Sequence, residues 1–456
     1  MNTQNASPRL GLILGTLLLS GALVLAGCDV DKLLEVTDPD TVNPQTLDDP
    51  DVLDVVINGA LGDFTNAYSG DGLNDAFLIV TAAMSDEVFS SGTFPTRTAT
   101  DRRNQQPPAD GNTSDLAYND LQIARRALKD AAAKVADFRG KSDAGYGELK
   151  ALEGYTYVAL GEGFCSAIPL SYIENGEWVY GEPQTVDQVW TGALTVFDEA
   201  LANGGGSLAA VGKGRALLNL GQYAAAAAAV ASVPTSYLYD VFHSASGAQN
   251  PVYTLQGNGR YSLSDGEGGN GLMFRSAGDP RVPWIRDPAQ PNGFDAAYPL
   301  YKIRKYNAFT SPVVLASGVE ARLIEAEAAL QAGQTTVWLQ KLNDLRADVA
   351  SIMAAQVPAY PITGAKLAPL ADPGTEAARL SMMFSERAFW LFGTGHRLGD
   401  LRRLVKNYGL SATQVYPSGD YHKGGSFGAD LVFPVDFDEG NNPNFDGSMC
   451  NVKSAG

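Results

Sequence analysis

Two widely separated stretches of the chain, GRALLNLGQY (214–223) and AEAALQAGQT (326–335), carry a small residue, an apolar pair, a glycine and a glutamine in the same order. Both sit inside alanine- and leucine-rich runs with apolar residues at three- and four-residue spacing, which is the signature of an amphipathic helix. A helical unit that recurs in this way cannot bury its apolar face alone, so the fold must stack helix pairs against one another. The pairs expected here are TVDQVWTGALTVFDEAL with SLAAVGKGRALLNLGQYAAAAAAVASV, and GVEARLIEAEAALQAGQ with TTVWLQKLNDLRADVA.

In the first stretch Gly214, Gly221, Tyr223 and Ala226 stand where a tetratricopeptide repeat keeps small and aromatic residues for close helix approach. This part of the chain resembles degenerate tetratricopeptide repeats, with an alanine-rich helix bundle as the alternative. Upstream, LDDPDVLDVVINGALGDFTNAY predicts a first helix, with Leu53, Val56, Ile57, Leu61 and Phe64 on one face and aspartates in its first turn. A second is expected from about Leu73 to Phe89, ending before SSGTFPTRTATDRRNQQPPADGN, which reads as a long loop. A hairpin of NTSDLAYNDLQIARRALKDAAAKVADF, capped by Ser114 or Asp115, with GELKALEGYTYVALGEGF should follow the break at Gly140.

Residues 233–315 are rich in Pro, Gly, Asn and aromatics, a composition that interrupts helices. Tyr253, Tyr261, Leu263 and Phe274 between turn residues predict short strands and ordered loops there. The stretch 406–456 is similarly loop-rich. Long ordered loops of this kind commonly carry function.

The N-terminus reads MNTQNASPRLGLILGTLLLSGALVLAGCDV, with Arg9 before an apolar run that ends Leu25-Ala26-Gly27-Cys28. A basic start, an apolar stretch and small residues before a cleavage point predict a signal peptide over 1–27, the alternative being an uncleaved membrane helix. L-A-G-C resembles the lipobox of bacterial lipoproteins, which implies a covalent lipid, palmitate among its acyl groups, on Cys28. Several acyl chains, each buried CH₂ contributing about 0.8 kcal/mol, would tether the mature chain 28–456 durably. No further cofactor is expected.

With 51 acidic against 33 basic residues and a formal charge of −18, the chain should repel nucleic acid. Three cysteines and three histidines fit no C-x-x-C or H-x-x-x-H pattern, and no G-x-S-x-G elbow accompanies them, so neither a metal nor a Ser/His/Asp site is expected. DGEGGNG (265–271) and DFDEGNNPNFDG (436–447) lack the EF-hand ligand order and read as acidic turns. With Cys28 lipidated, Cys165 and Cys450 remain as one pair, either disulfide-bonded in an oxidising compartment or two buried thiols.

FSERAFWLFGTGHRLGDLRRL (384–404) concentrates Glu386, His396 and Asp400 among four arginines. Phe384, Ala388, Leu391 and Phe392 give it a core face, Gly393 and Gly395 a left-handed turn, and HRLGDLRRL a returning helix. Glu386 is expected to reach Arg397 or Arg402, and Asp400 to reach Arg403 one turn on. Carboxylates held by guanidinium groups are poor general acids, so the stretch reads as a brace, with no catalytic residue.

SERAFWLFGTGHRLGDLRR resembles the C-terminal signature of the SusD/RagB family of nutrient-binding outer-membrane lipoproteins, on Glu386, Arg387, Gly395, Arg397, Asp400, Leu401, Arg402 and Arg403. LLEVTDPDTV after the lipobox, EGYTYVALGEGFCSAIPLS, KIRKY, EARLIEAEAAL, LNDLR and the closing FP and NNPN extend the resemblance along nearly all of the mature chain. It implies a mostly α, SusD-like fold: one domain over 28–456, a repeat scaffold at about 46–232 and 316–405, an irregular ligand-face insertion over 233–315 and a loop-rich end. It also implies a glycan or peptide ligand, no enzymatic activity, and a surface-facing lid on a SusC-like TonB-dependent transporter in the outer membrane.

The chemistry of sugar recognition, aromatic faces beside planar hydrogen-bonding groups, selects two stretches as ligand candidates. The loop after the second helix offers Phe89, Phe94, Arg97, Arg102, Arg103 and Asn104, and the insertion offers Trp284, Tyr298 and Tyr301. For each aromatic the alternative is ordinary loop packing. Two other classes compete: a tetratricopeptide-type envelope scaffold lipoprotein that binds proteins, and an exported helical glycoside hydrolase using Glu386 or Asp400.

Overall fold

The computed structural model describes residues 49–105, 111–174, 177–358 and 364–456. Cys28, the signal segment 1–27 and the LLEVTDPDTV stretch lie outside them. Among the described residues no helix is long and apolar enough to cross a membrane.

Residues 53–456 form one compact unit that is mostly helical. Helix α1 (Leu53–Tyr68) packs on α4 (Thr113–Phe138), with α2 (Phe77–Met84), β1 (Val88–Ser90) and α3 (Pro95–Asp101) between them in sequence. The expected second helix is shorter than its apolar text suggested, because Asp86 and Glu87 turn inward to partners instead of continuing it. The expected long loop carries α3, started by Pro95 in the first turn where a missing N–H costs nothing. Helix α4 is capped by Asn112, with Asp115 completing a capping box, so Asp115 is the third helical residue and neither it nor Ser114 is the cap.

Helix α5 (Ala144–Gly163) pairs with α6 (Val186–Ala202), and the chain between them forms the hairpin of β2 (Tyr172–Glu174) and β3 (Glu177–Val179). Glycines at 147, 154 and 161 make this contact possible. A Cβ on Gly161 would lie 2.2 Å from Trp190 Nε1, one on Gly154 2.6 Å from the Phe197 ring, and one on Gly147 2.4 Å from the Asn203 carbonyl. Their seven-residue spacing puts all three on one face, matched by Trp190 and Phe197 on the partner helix.

The single long helix expected over 207–233 is two: α7 (Gly206–Asn219) and α8 (Tyr223–Val230), folded back at Gly221. After the insertion, β8 (Val313–Ser317) leads into α10 (Gly318–Gln331), α11 (Thr335–Ala347) and α12 (Val349–Gln356); α10 and α11 turn at Gly333. The sequence echo is an echo in the backbone. Gly221 and Gly333 have φ of 72° and 70°, and Gln222 and Gln334 donate back to Leu217 and Ala329 at 2.8 and 2.9 Å. Helices α8 and α10 then pack together, which stacks the two units.

The insertion contains β4 (Leu238–Val241), α9 (Pro251–Gly257), β5 (Tyr261–Leu263), β6 (Trp284–Ile285) and β7 (Lys302–Ile303). Strands β1–β5, β2–β3, β4–β8 and β6–β7 form four antiparallel pairs. Tyr253, expected in a short strand, lies in α9, which Asn250 caps and Pro251 starts; the loop-like composition concealed a seven-residue helix. Helices α13 (Glu376–Trp390), α14 (Arg397–Lys406) and α15 (Ala412–Val415) follow, then the loop-rich end. Cys165 and Cys450 are joined in a disulfide, which ties that end to the C-terminus of α5.

Candidate functional site

The arginine-rich stretch is buried and holds the other segments in place. Gly393 and Gly395, with φ of 66° and 75°, reverse the chain between α13 and α14. Glu386 accepts from Arg281 of the insertion at 2.7 Å and from Arg346 of α11 at 2.6 Å. The expected partners Arg397 and Arg402 are engaged elsewhere, because α14 turns them toward the N-terminal half. Arg397 pairs bidentately with Asp86 at 2.6 and 2.9 Å, and Arg402 donates to the carbonyls of Gly161, Phe164 and Ala455.

Asp400 does meet Arg403, at 2.9 Å, and a second guanidinium, Arg387, grips both of its oxygens at 2.9 Å. Burial works to raise its pKa, but these two arginines outweigh it and hold the carboxyl well below the usual range. Arg403 also reaches Glu327 of α10 at 2.8 Å. His396 lies 3.1 Å from Glu320 of α10 and 2.9 Å from Arg215 of α7. All of these groups are buried except Arg346, which is partly exposed.

The ligand candidates fall into three groups on the insertion side. In the first, Phe89 and Tyr298 come together on a residue that sequence reasoning passed over as a ligand-face group, His422. Its ring lies 4.9 Å from Phe89, 4.8 Å from Tyr298 and 4.3 Å from Tyr421. Tyr298 donates its hydroxyl to the His422 carbonyl at 2.6 Å, and Nε2 lies 3.1 Å from the Ser90 carbonyl. Burial works against a charged imidazole here, but Glu267 and Asp101 outweigh it and raise its pKa. This group is a packed joint between three segments.

The second group is exposed. Phe94, at the N-terminus of α3, stands beside Arg97 and Arg260, with guanidinium carbons 4.8 and 4.9 Å from its centroid; Phe294 lies 3.7 Å from Arg260. Phe94 and Phe294 are 47% and 55% exposed, so both rings face solvent on either side of one guanidinium. Arg97 is not available to a ligand as expected: it is buried and ion-paired to Asp75 at 2.6 Å. Arg103 is likewise drawn under the surface, where it donates to the carbonyls of Pro417, Gly428 and Asp430, with its pKa pushed down to about 10 by burial. Arg102 donates to the Ser426 carbonyl at 2.8 Å, and Asn104 is exposed beside it.

In the third group, Trp284 packs edge-on against Tyr301 at 5.5 Å and donates to the Arg275 carbonyl at 3.2 Å. Arg275 covers Tyr301 at 4.1 Å, and Arg286 is exposed on the same strand end. The insertion and the segment after α2 are joined by β1–β5 pairing, so the two stretches selected from sequence do share one side of the molecule. Arg260 and Phe294 went unnoticed; the signal available was an arginine and a phenylalanine, each next to a glycine in the insertion. Away from them, Trp178 of β3 and Tyr180 just after it form an exposed stacked pair, 6.3 Å apart.

No family model matches the chain, and no curated protein matches it by sequence. Solved structures do. A SusD superfamily protein from Parabacteroides distasonis superposes with a TM-score of 0.63 at 13% identity, over 89% of this chain and 98% of that one. A SusD-like carbohydrate binding protein from Bacteroides vulgatus gives 0.61 at 17% identity, over 88% and 98%. A laminarin binding SusD-like protein gives 0.58 at 16%, over 87% and 98%. Agreement over nearly the full length of each, on a helix-hairpin scaffold with an irregular insertion, establishes that the chain has the SusD-like fold.

Proposed function

We propose that this chain belongs to the SusD/RagB family and is a lipid-anchored outer-membrane protein that captures glycans and passes them to a SusC-like TonB-dependent transporter. The observation that carries this reading is the exposed aromatic and arginine face around Phe94, Arg260 and Phe294, on a SusD-like fold. Rigid phenyl faces beside a planar donor suit the C–H and hydroxyl surfaces of a sugar. Structural neighbours described as carbohydrate binding and laminarin binding support it.

Capture without cleavage fits the acids. A hydrolase needs a carboxyl kept protonated near neutrality and open to substrate. Burial pushes Glu87 and Asp101 up to about 7, but both are sealed inside, as are Glu386 and Asp400. The envelope-scaffold reading draws on one feature, a groove of about 830 Å³ between α8 and the α10–α11 hairpin, lined by Tyr223, Ala225, Glu325 and Val337.

A glycan screen on residues 29–456 separates these readings. Saturable binding with no released sugar, weakened by Phe94→Ala, is the expected result; binding of proteins alone would favour the scaffold. Radiolabelled palmitate incorporated by wild type and not by Cys28→Ala checks the anchor, and co-purification of a barrel transporter checks the partner.

A further inference from the structure

Arg260 has no carboxylate partner among the described residues, in a chain whose acids outnumber its bases by 51 to 33. Its guanidinium is half-buried, and Nη1 is covered with no acceptor in reach. The charge nearest in effect is another cation, Arg97, which with burial works against its ionised form. The neighbouring cations are already satisfied: Arg97 by Asp75, and Lys423 by Asp295 at 3.1 Å.

The backbone is arranged to hold Arg260 in this position. Gly259, with φ of 65°, lets Phe294 approach so closely that a Cβ there would lie 2.7 Å from the Phe294 nitrogen. Gly92 lies under the side chain, where a Cβ would come 3.3 Å from Arg260 Cδ. The two exposed phenyl rings lie against the guanidinium and cover part of it, without supplying an anion.

Resting on the glycan-capture reading, we propose that this site selects acidic glycans, with Arg260 pairing the uronate carboxylate or sulfate ester of a sugar whose ring lies against Phe94 or Phe294. A planar fork of donors matches both anions bidentately, and such charge-assisted bonds are the strong ones. The overall negative charge does not forbid this. At physiological salt charges are screened beyond about 8 Å, so a bound anion feels chiefly the cation it touches.

The test uses residues 29–456 and two matched pairs of probes: polygalacturonate against its carboxyl-reduced form, and carrageenan against its desulfated form. Wild type should bind the charged member of at least one pair about tenfold or more tightly than the neutral member. Arg260→Gln should abolish that preference, and Arg260→Lys should keep part of it, both with unchanged unfolding midpoints. The pair showing the preference tells carboxylate from sulfate.

Equal binding of charged and neutral members, or a preference that survives Arg260→Gln, overturns the inference while glycan capture stands. So does binding confined to neutral glycans of the wider screen. Oligoaspartate bound as tightly as the uronate polymer would overturn the saccharide assignment. Failure to bind any glycan in either set would remove the capture reading itself.

Discussion

Asp400 sits between Arg387 and Arg403 and is almost fully buried, so little water is at hand to soften its loss. Removing one member of such a pair leaves buried charge uncompensated, so Asp400→Asn should lower unfolding free energy by about 3–5 kcal/mol. Because its folded pKa is depressed, the wild-type advantage is present above the ordinary value of 3.8 and is lost as pH falls through the folded value. Denaturant titrations of both proteins at neutral and acidic pH check the size and the sign. His422 behaves oppositely. Its pKa is raised, so its contribution is full below 6.5 and fades as pH climbs through the folded value. Midpoints of wild type and His422→Gln should therefore differ most below pH 6.5 and draw together as pH rises through the raised folded value. At this scale the sequence showed that Asp400 would be held by Arg403 one turn on, and that Glu386 would be held by an arginine. It could not show which arginines: Glu386 is paired by Arg281 and Arg346, whose approach depends on how the insertion and α11 fold over α13.

The α5–α6 contact depends on small residues of α5, chiefly Gly154 and Gly161, that make room for Phe197 and Trp190 of α6. Gly161→Val places methyl groups where Trp190 already packs, and overpacking of this kind typically costs about 1–3 kcal/mol. A thermal-unfolding midpoint lower than that of wild type, with native helix content retained at room temperature, is the expected outcome. The disulfide acts at the same scale. It closes a loop of 285 residues between α5 and the C-terminal segment. Cys450→Ser should cost about 2–5 kcal/mol, chiefly by freeing the unfolded chain, and reduction of wild type should add two hydrogens to the intact mass. Helix periodicity was legible for α1, α4 and α13 because each buries one distinct face, whereas α5 and α10, buried nearly all round, were legible from their long alanine- and leucine-rich runs. Helices α3 and α9 were hidden, since seven residues started by proline hold too few positions for a stripe to show. The break between α7 and α8 was legible only through the echo, as Gly221 matches Gly333.

Over the whole molecule, stacked helix hairpins carry an insertion that turns an aromatic and cationic surface outward, while the arginine-rich stretch locks the insertion, the segment after α2, α5, α7 and α10 to one centre. The mostly α architecture could be read from sequence because repetition and periodicity are local. The face could not be sorted in the same way. Arg97 and Arg260 are equally polar in sequence, and only folding gives one to Asp75 and leaves the other beside two exposed phenyl rings. The most direct test of the account is affinity electrophoresis of residues 29–456 through a panel of soluble polysaccharides, with product analysis of the same gels. The account expects migration to be retarded by at least one glycan, no oligosaccharide to be released, and the retardation to fall in Phe94→Ala. Free migration through every glycan, or sugar released from the one that retards it, would contradict it.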